Sequence, residues 1–196
     1  MARIKPKDLE LMRIIEQFDK PYWTVSDLEK VLHLKRECLH VALHRLVKAG
    51  VLQRLRRGIY QLAGQPPDVP RIANALYLPS YLSFESALAR YGILSQIPYT
   101  VTFATPRGSK RMTVGETIVE FRQMRADLCF GYRLEQGLYI AEREKALLDA
   151  LYLMKRGRLA LPLGELYLTD VTPEKLLVYA DSFPPYVRQA VHALLQ

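Results

Sequence analysis

Over residues 35–49 the apolar positions fall at helical spacing. Leu39, Leu43, Leu46 and Val47 share one face, while His40, Val41, His44, Arg45 and Lys48 lie on the other. Gly50 follows, and glycine stops a helix because it accepts a positive φ. The period then changes to that of strands: residues 51–55 and 59–62, around a turn at Arg56, Arg57 and Gly58, predict a hairpin. Upstream, Leu9, Met12, Ile15 and Phe18 predict one face of a first helix over residues 7–18, closed off by Pro21. Thr24 to Asp27 offer capping oxygens, and Ser26 with Glu29 has the spacing of a capping box. A second helix to about Leu32 then turns Val25, Leu28, Val31 and Leu32 inward, and His33 and Leu34 form the turn to the third. Helix, helix, turn, helix, hairpin is the order of a winged helix-turn-helix.

Residues 63–70 hold Gly64, Pro66, Pro67 and Pro70, the sharpest break in composition. The expected division is a domain at 1–64, a semi-rigid linker at 65–70 and a second domain at 71–196. In the second domain, residues 71–78 and 83–91 predict short helices, the latter stopped by Gly92. Residues 99–105, 117–121 and 128–134 predict strands, with 138–140 a further candidate. Residues 141–155 predict a strong helix with Ala146, Leu147, Ala150, Leu151 and Met154 inward. Thr172-Pro173 starts another helix, and residues 184–195 form the last. The fold class is therefore α+β: a winged helix-turn-helix followed by a mixed α+β domain.

Charge sharpens this reading. The chain carries a net +8 over 196 residues, but residues 1–64 hold 13 basic and 7 acidic residues and residues 65–196 hold 15 and 13. Excess charge concentrated in one third of the chain points to an anionic partner there. A groove-entering helix places its N-terminal residues near base edges, so Lys35, Arg36, His40 and His44 are candidate readers. Arg45 and Lys48 are candidate positioning contacts, and Arg54, Arg56 and Arg57 would meet phosphates or a narrow minor groove. The expected partner is double-stranded DNA. Arg107, Lys110 and Arg111 form a second basic group, read as a loop. It is either a solvated hairpin tip or an auxiliary contact for DNA or an RNA-like substrate.

The remaining chemistry is sparse. Cys38 and Cys129 fit free thiols of a reducing cytoplasm better than a structural disulfide. No signal-like run opens the chain and no uncharged apolar run spans a bilayer, so a cytoplasmic protein without membrane contact is expected. His40 and His44 stand at i, i+4, but no third ligand lies nearby, and neither metal nor cofactor is expected. Glu85, Glu120, Glu142, Glu144 and Lys145 invite a metal-dependent nuclease reading, yet lack metal-ligand spacing. Glu142, Glu144, Lys145 and Asp149 read more simply as the solvated face of a helix, with Lys145 and Asp149 at i, i+4. Ser83 and Ser86 read as helix-start residues, because no histidine occurs between residues 45 and 191 to activate them. The chain is thus read as a binding protein with no catalytic residues.

Two phrases carry a specific likeness. The first runs from Tyr81-Leu82-Ser83-Phe84-Glu85-Ser86-Ala87-Leu88 to Tyr91-Gly92-Ile93-Leu94-Ser95-Gln96-Ile97-Pro98, and the second covers residues 140–153, Ile-Ala-Glu-Arg-Glu-Lys-Ala-Leu-Leu-Asp-Ala-Leu-Tyr-Leu. Both resemble AbiEi-type antitoxins, and Gly50-Val51-Leu52 through Arg57-Gly58-Ile59-Tyr60 is similar to the same family's N-terminal domain. Many relatives have His where this chain has Tyr91, and Pro where it has Arg143. The resemblance implies an antitoxin of a type IV toxin–antitoxin pair linked to phage abortive infection. Such a protein represses its own operon through DNA repeats in the promoter, and its C-terminal domain helps neutralise a nucleotidyltransferase-like toxin without necessarily forming a stable complex. The alternatives are an orphan winged-helix transcription regulator and, behind it, the nuclease.

Overall fold

The structure, a computed structural model, describes residues 6–18, 20–32, 36–64 and 66–195. By its contacts the chain divides into two compact units, Met1–Ile72 with Val114–Glu116, and Ala73–Thr113 with Thr117–Gln196. The elements mix helices and sheets, and a helix-rich start precedes a strand-rich stretch.

The first unit opens with α1 (Pro6–Gln17), β1 (Trp23–Thr24), α2 (Val25–Leu32) and α3 (Arg36–Lys48), followed by β2 (Leu52–Arg56) and β3 (Ile59–Leu62). Its core is Leu11, Ile15, Trp23, Val25, Leu28, Leu39, Leu43, Leu46, Leu52 and Tyr60. Two sequence expectations change here. The buried face of α1 is Leu11 and Ile15, whereas Leu9 and Phe18 are more than half exposed. Leu11 and Ile15 are one turn apart, and the spacing alone allowed either neighbouring stripe. The capping box is also displaced. The Asp27 N–H donates to Thr24 Oγ1 at 3.1 Å, and the Asp27 carboxylate accepts from the Thr24 N–H at 2.9 Å and its hydroxyl at 2.7 Å. The reciprocal pair is therefore Thr24 and Asp27, not Ser26 and Glu29, because Thr24 already holds extended backbone in β1.

β1 was not expected. It pairs antiparallel with β3, Trp23 opposite Tyr60 and Thr24 opposite Ile59, so the hairpin becomes a three-stranded sheet in the order β1-β3-β2. The hairpin turns through Gly58 at φ +78°, and its register shifts between Arg54 and Arg56. The Val25 N–H donates to the Gly58 carbonyl at 3.2 Å, which ties the turn to the start of α2.

The rest of the chain runs α4 (Val69–Leu76), β4 (Tyr81–Leu82), α5 (Phe84–Arg90), β5 (Thr100–Thr105), β6 (Lys110–Val114), β7 (Thr117–Gln123), β8 (Tyr132–Glu135), β9 (Leu138–Ala141), α6 (Arg143–Lys155), α7 (Pro173–Ala180) and α8 (Pro185–Leu194). A six-stranded mixed sheet has the order β6-β7-β5-β4-β9-β8. β5 runs parallel to β7 and β4 parallel to β9, while the β4–β5 and β8–β9 pairs are antiparallel. Residues 128–134 are not one strand. A 3-10 turn at Ala126–Leu128 precedes β8, because Leu128 is pulled into the core. Lys110 and Arg111 likewise stand on β6 rather than on a loop.

The Thr24–Asp27 pair gives the first prediction. Burial opposes the Asp27 charge, but hydrogen bonds from Lys20 and Thr24 and the lysine's charge at 2.7 Å outweigh it and hold the carboxyl below its ordinary range. Asp27→Ala is expected to lower stability by about 1 kcal/mol near neutral pH. A carboxyl whose folded pKa is depressed stabilises above its unfolded pKa and loses that contribution as pH falls through the folded value. The gap between wild type and variant should therefore close on acidification. Trp23, the only tryptophan, reports unfolding of this unit in urea. An unchanged gap from neutral to acidic pH would reject the assignment.

Candidate nucleic-acid interface

A groove of about 660 Å³ opens in the first unit between α3 and the hairpin. One wall is a stripe of α3: Arg36, His40, His44 and Val47, at successive turns. The other is Arg54, Arg57 and Gly58, and the floor is Thr24, Val25, Ser26 and Tyr60. Among the described residues no carboxylate lines it. The arrangement follows from local packing. Leu39, Leu43 and Leu46 are fully buried and set the rotation of α3, which turns the stripe beginning at Arg36 toward the hairpin. On the other wall, Leu52 and Leu55 are buried, which leaves Gln53, Arg54, Arg56 and Arg57 exposed.

The groove thus collects Arg36, His40, His44, Arg54 and Arg57 from the nine candidates. Arg45, Lys48 and Arg56 do not line it; Lys48 and Arg56 are exposed and Arg45 is half-buried. Lys35 lies outside the described residues. Arg36 faces Glu29 at 3.6 Å with its side chain largely exposed. The Arg54 Nε donates to the Arg56 carbonyl at 3.4 Å, which folds that side chain along the turn. Ser26 and Tyr60 are lining residues that the sequence reading missed. Neither is charged, and only the pairing of β1 with β3 and the Val25–Gly58 bond bring them to the floor.

The residues considered for catalysis are placed differently from expectation. Lys145 and Asp149 are completely buried, not on a solvated helix face, and Glu144 is nearly so. Lys145 Nζ donates to Asp149 Oδ1 and, at 2.9 Å, to the Tyr81 hydroxyl. Asp149 Oδ2 accepts from Ser83 Oγ at 2.8 Å and from the Tyr81 hydroxyl at 3.1 Å. The rings of Tyr81, Phe130 and Phe183 stand 5.1–5.3 Å from the ammonium. Burial pushes the Lys145 pKa down and the Asp149 pKa up, each opposed by the other's charge. Ser83 precedes α5 but makes no side-chain cap. Its hydroxyl turns to Asp149 instead, across a junction where Phe84 adopts φ +53°, a left-handed conformation costly for a bulky residue.

The other carboxylates are engaged as well. Glu85 and Glu120 meet Arg122 at 2.7 and 3.3 Å. Glu142 accepts from the Tyr179 hydroxyl at 2.5 Å and pairs with Lys175 at 3.1 Å, and Glu144 accepts from the Thr172 N–H at 3.0 Å. Among the described residues no three His, Cys, Asp or Glu side chains are grouped to hold a metal ion. Cys38 and Cys129 are free thiols. In the second basic group, Arg107 donates to the Leu78 carbonyl at 2.9 Å. Arg107 and Lys110 flank the Tyr77 ring at 4.4 and 4.6 Å, and Arg111 faces Glu120 at 3.7 Å. Tyr91 and Arg143, the two departures from the family phrases, touch: the guanidinium lies 5.1 Å from the ring centre. Burial raises the Tyr91 pKa and Glu135 adds to this, while Arg133, Arg143 and Arg90 pull it back. Among the described residues no helix is long and apolar enough to cross a membrane.

The groove and its flanking helices fall within a segment that comparison identifies. Residues 20–63 match the family model described as transcriptional regulator, AbiEi antitoxin. That family, a family of regulators and antitoxins rather than an enzyme class, is the one that the sequence phrases resemble. No curated protein matches the chain. The crystal structure of the RV2827C protein from Mycobacterium tuberculosis is similar to it in fold, with a TM-score of 0.68 and 18% identity over 100% of this chain and 78% of that one.

The buried pair yields the second prediction. Lys145→Met leaves Asp149 buried without its cation and is expected to cost about 3–5 kcal/mol, whereas replacing both, Lys145→Met with Asp149→Leu, should recover much of that loss. Urea unfolding followed by far-ultraviolet circular dichroism measures both. A single variant as stable as wild type would show that the pair does not contribute as described.

Proposed function

We propose that residues 1–64 act as a winged helix-turn-helix that binds duplex DNA and that the chain is an autorepressing antitoxin of a type IV pair. The observation that carries DNA binding is the groove with arginines on both walls, two histidines on the helix stripe and no carboxylate among its described lining residues. α3 supplies a wall that can follow a major groove, and the hairpin supplies exposed arginines that would meet phosphates beside it. Arg36, first on α3, reads bases; Lys35, His40 and His44 join it, Arg45 and Lys48 position the helix, and Arg54, Arg56 and Arg57 hold phosphates. The match at residues 20–63 to a regulator and antitoxin family supports the same reading. The operator is a set of repeats in the protein's own promoter, and residues 71–196 serve neutralisation of a nucleotidyltransferase-like toxin, as the family resemblance implies.

The intact chain tests DNA binding by fluorescence anisotropy on promoter and random duplexes across salt. Arg54→Ala and Arg57→Ala should weaken both duplexes alike and flatten the slope of log K against log salt by about 0.9 per lost phosphate contact. Arg36→Ala should cost roughly 1–3 kcal/mol on the promoter repeat and little on random DNA. Equal losses on both would remove its base-reading role.

Neutralisation is tested with the toxin under an unrelated promoter, so that lost repression does not raise toxin levels. Charge reversal at Arg56 and Arg57 should abolish repression yet leave cells protected, with antitoxin amounts checked by blot. Loss of protection at normal antitoxin levels would show that the two activities share one surface.

A further inference from the structure

We propose that the β8 edge of the six-stranded sheet docks an extended segment of a partner protein whose side chains alternate between acidic and apolar. β8 is the outermost strand, paired on one side with β9, and its residues 132–134 are exposed. The opposite edge, β6, exposes Lys110, Arg111 and Thr113, the charged and polar guard that keeps sheet edges from pairing. β8 instead exposes Leu134 at 59% and Tyr132 at 39%.

The two faces of β8 differ in chemistry, because successive side chains point to opposite sides. On one side Tyr132 stacks on Tyr81 at 4.5 Å, and a cavity of about 260 Å³ is lined by Leu78, Pro79, Ser80, Tyr132 and Tyr139. On the other side stands Arg133. Its charge, with those of Arg90 and Arg143, converges on Tyr91. Arg133 is matched by Glu135 at 2.5 Å, but neither Arg90 nor Arg143 is ion-paired among the described residues. Glu135 and Glu142 both act on Arg133, and Glu142 is already paired with Lys175 at 3.1 Å, so three arginines and a lysine stand against two glutamates and leave a positive surface along one face of that edge. A strand added there would gain main-chain hydrogen bonds from β8, place apolar side chains toward the cavity and carboxylates toward the arginines. The charge fixes the occupant's acidity, and the edge fixes its extended form.

The probe is a fluorescein-labelled synthetic peptide of eight residues alternating glutamate and valine, titrated against the full chain by anisotropy. Controls are a peptide of the same composition with the glutamates and valines in separate blocks, and an alternating lysine–valine peptide. The alternating acidic peptide should bind at least tenfold more tightly than either control, and the Arg133→Glu with Arg143→Glu variant should weaken it at least tenfold. Leu134→Lys should also weaken it, and amide exchange at residues 132–135 should slow when the peptide is bound. Circular dichroism and the wild-type unfolding midpoint confirm that the variants fold, and exchange on the unaltered chain is read independently of them. No binding at millimolar peptide, or equal binding of blocked and alternating peptides, would overturn the proposal. So would preferred binding of single-stranded RNA that depends on the same arginines without slowing β8 exchange. Self-association of the chain abolished by Leu134→Lys would also overturn it, because the occupant would be a second copy.

Discussion

Two full charges enter the interior at Lys145 and Asp149, and the packing around them is arranged to keep them there. Moving such ions out of water costs several kcal/mol each unless partners replace the lost hydration. Here the two face each other one turn apart on α6, and the Tyr81 and Ser83 hydroxyls supply further hydrogen bonds. Those hydroxyls come from β4 and the residue after it, so the charge pair fixes the rotation of α6 against the middle of the sheet. Phe130 and Phe183 then close over the ammonium from the segments before β8 and after α7. A one-residue slip of β4 would move Tyr81 and Ser83 to the other face and strand both charges. The positive φ of Phe84 is the local strain that this geometry holds in place.

The first unit depends on a different balance. Its apolar core sets α3 by Leu39, Leu43 and Leu46, and the hairpin by Leu52 and Leu55. Once those are buried, the arginines of α3 and of the hairpin must face one another across open space. Like charges gathered in that way repel, and Glu29 beside Arg36 relieves only one end of the helix wall. Apolar burial within the unit therefore maintains an electrostatic arrangement that a polyanion would favour.

The sheet adds a second asymmetry. Its two ends are built from strands of similar length, yet β6 is guarded by Lys110 and Arg111 while β8 carries Tyr132 and Leu134. The cations near β6 are also occupied: Arg107 and Lys110 lie against Tyr77, and Arg111 faces Glu120. Those near β8 include two without a carboxylate partner among the described residues. Similar residue types thus close one edge and leave the other open, according to what the neighbouring strands and helices supply.

Where a segment has one strongly apolar face, its sequence alone determined the result. The helix of α3 with Gly50 behind it, the hairpin around Gly58 and the strands β5 and β7 were all legible, because their periodicity requires no distant partner. The α1 face was half legible: Ile15 is buried and Met12 packs against the core as expected, but Leu9 and Phe18 are exposed, and packing against Trp23 and Leu28 selects Leu11 in their place. β1 and β4, two residues each, carry too little pattern to read; they exist because longer strands lie alongside to pair with them. The candidate groove was half legible. Its cations could be read from α3 and the hairpin, but the selection of Arg36, His40, His44, Arg54 and Arg57, and the floor at Ser26 and Tyr60, came from the three-dimensional placement of the walls. Lys145 and Asp149 show the limit most directly. At i, i+4 a lysine and an aspartate look like any exposed helical pair, and whether such a pair meets water or aromatic rings is decided by Tyr81, Phe130 and Phe183, which lie outside the helix and between 15 and 64 positions from Lys145, so the helix's own sequence does not encode it.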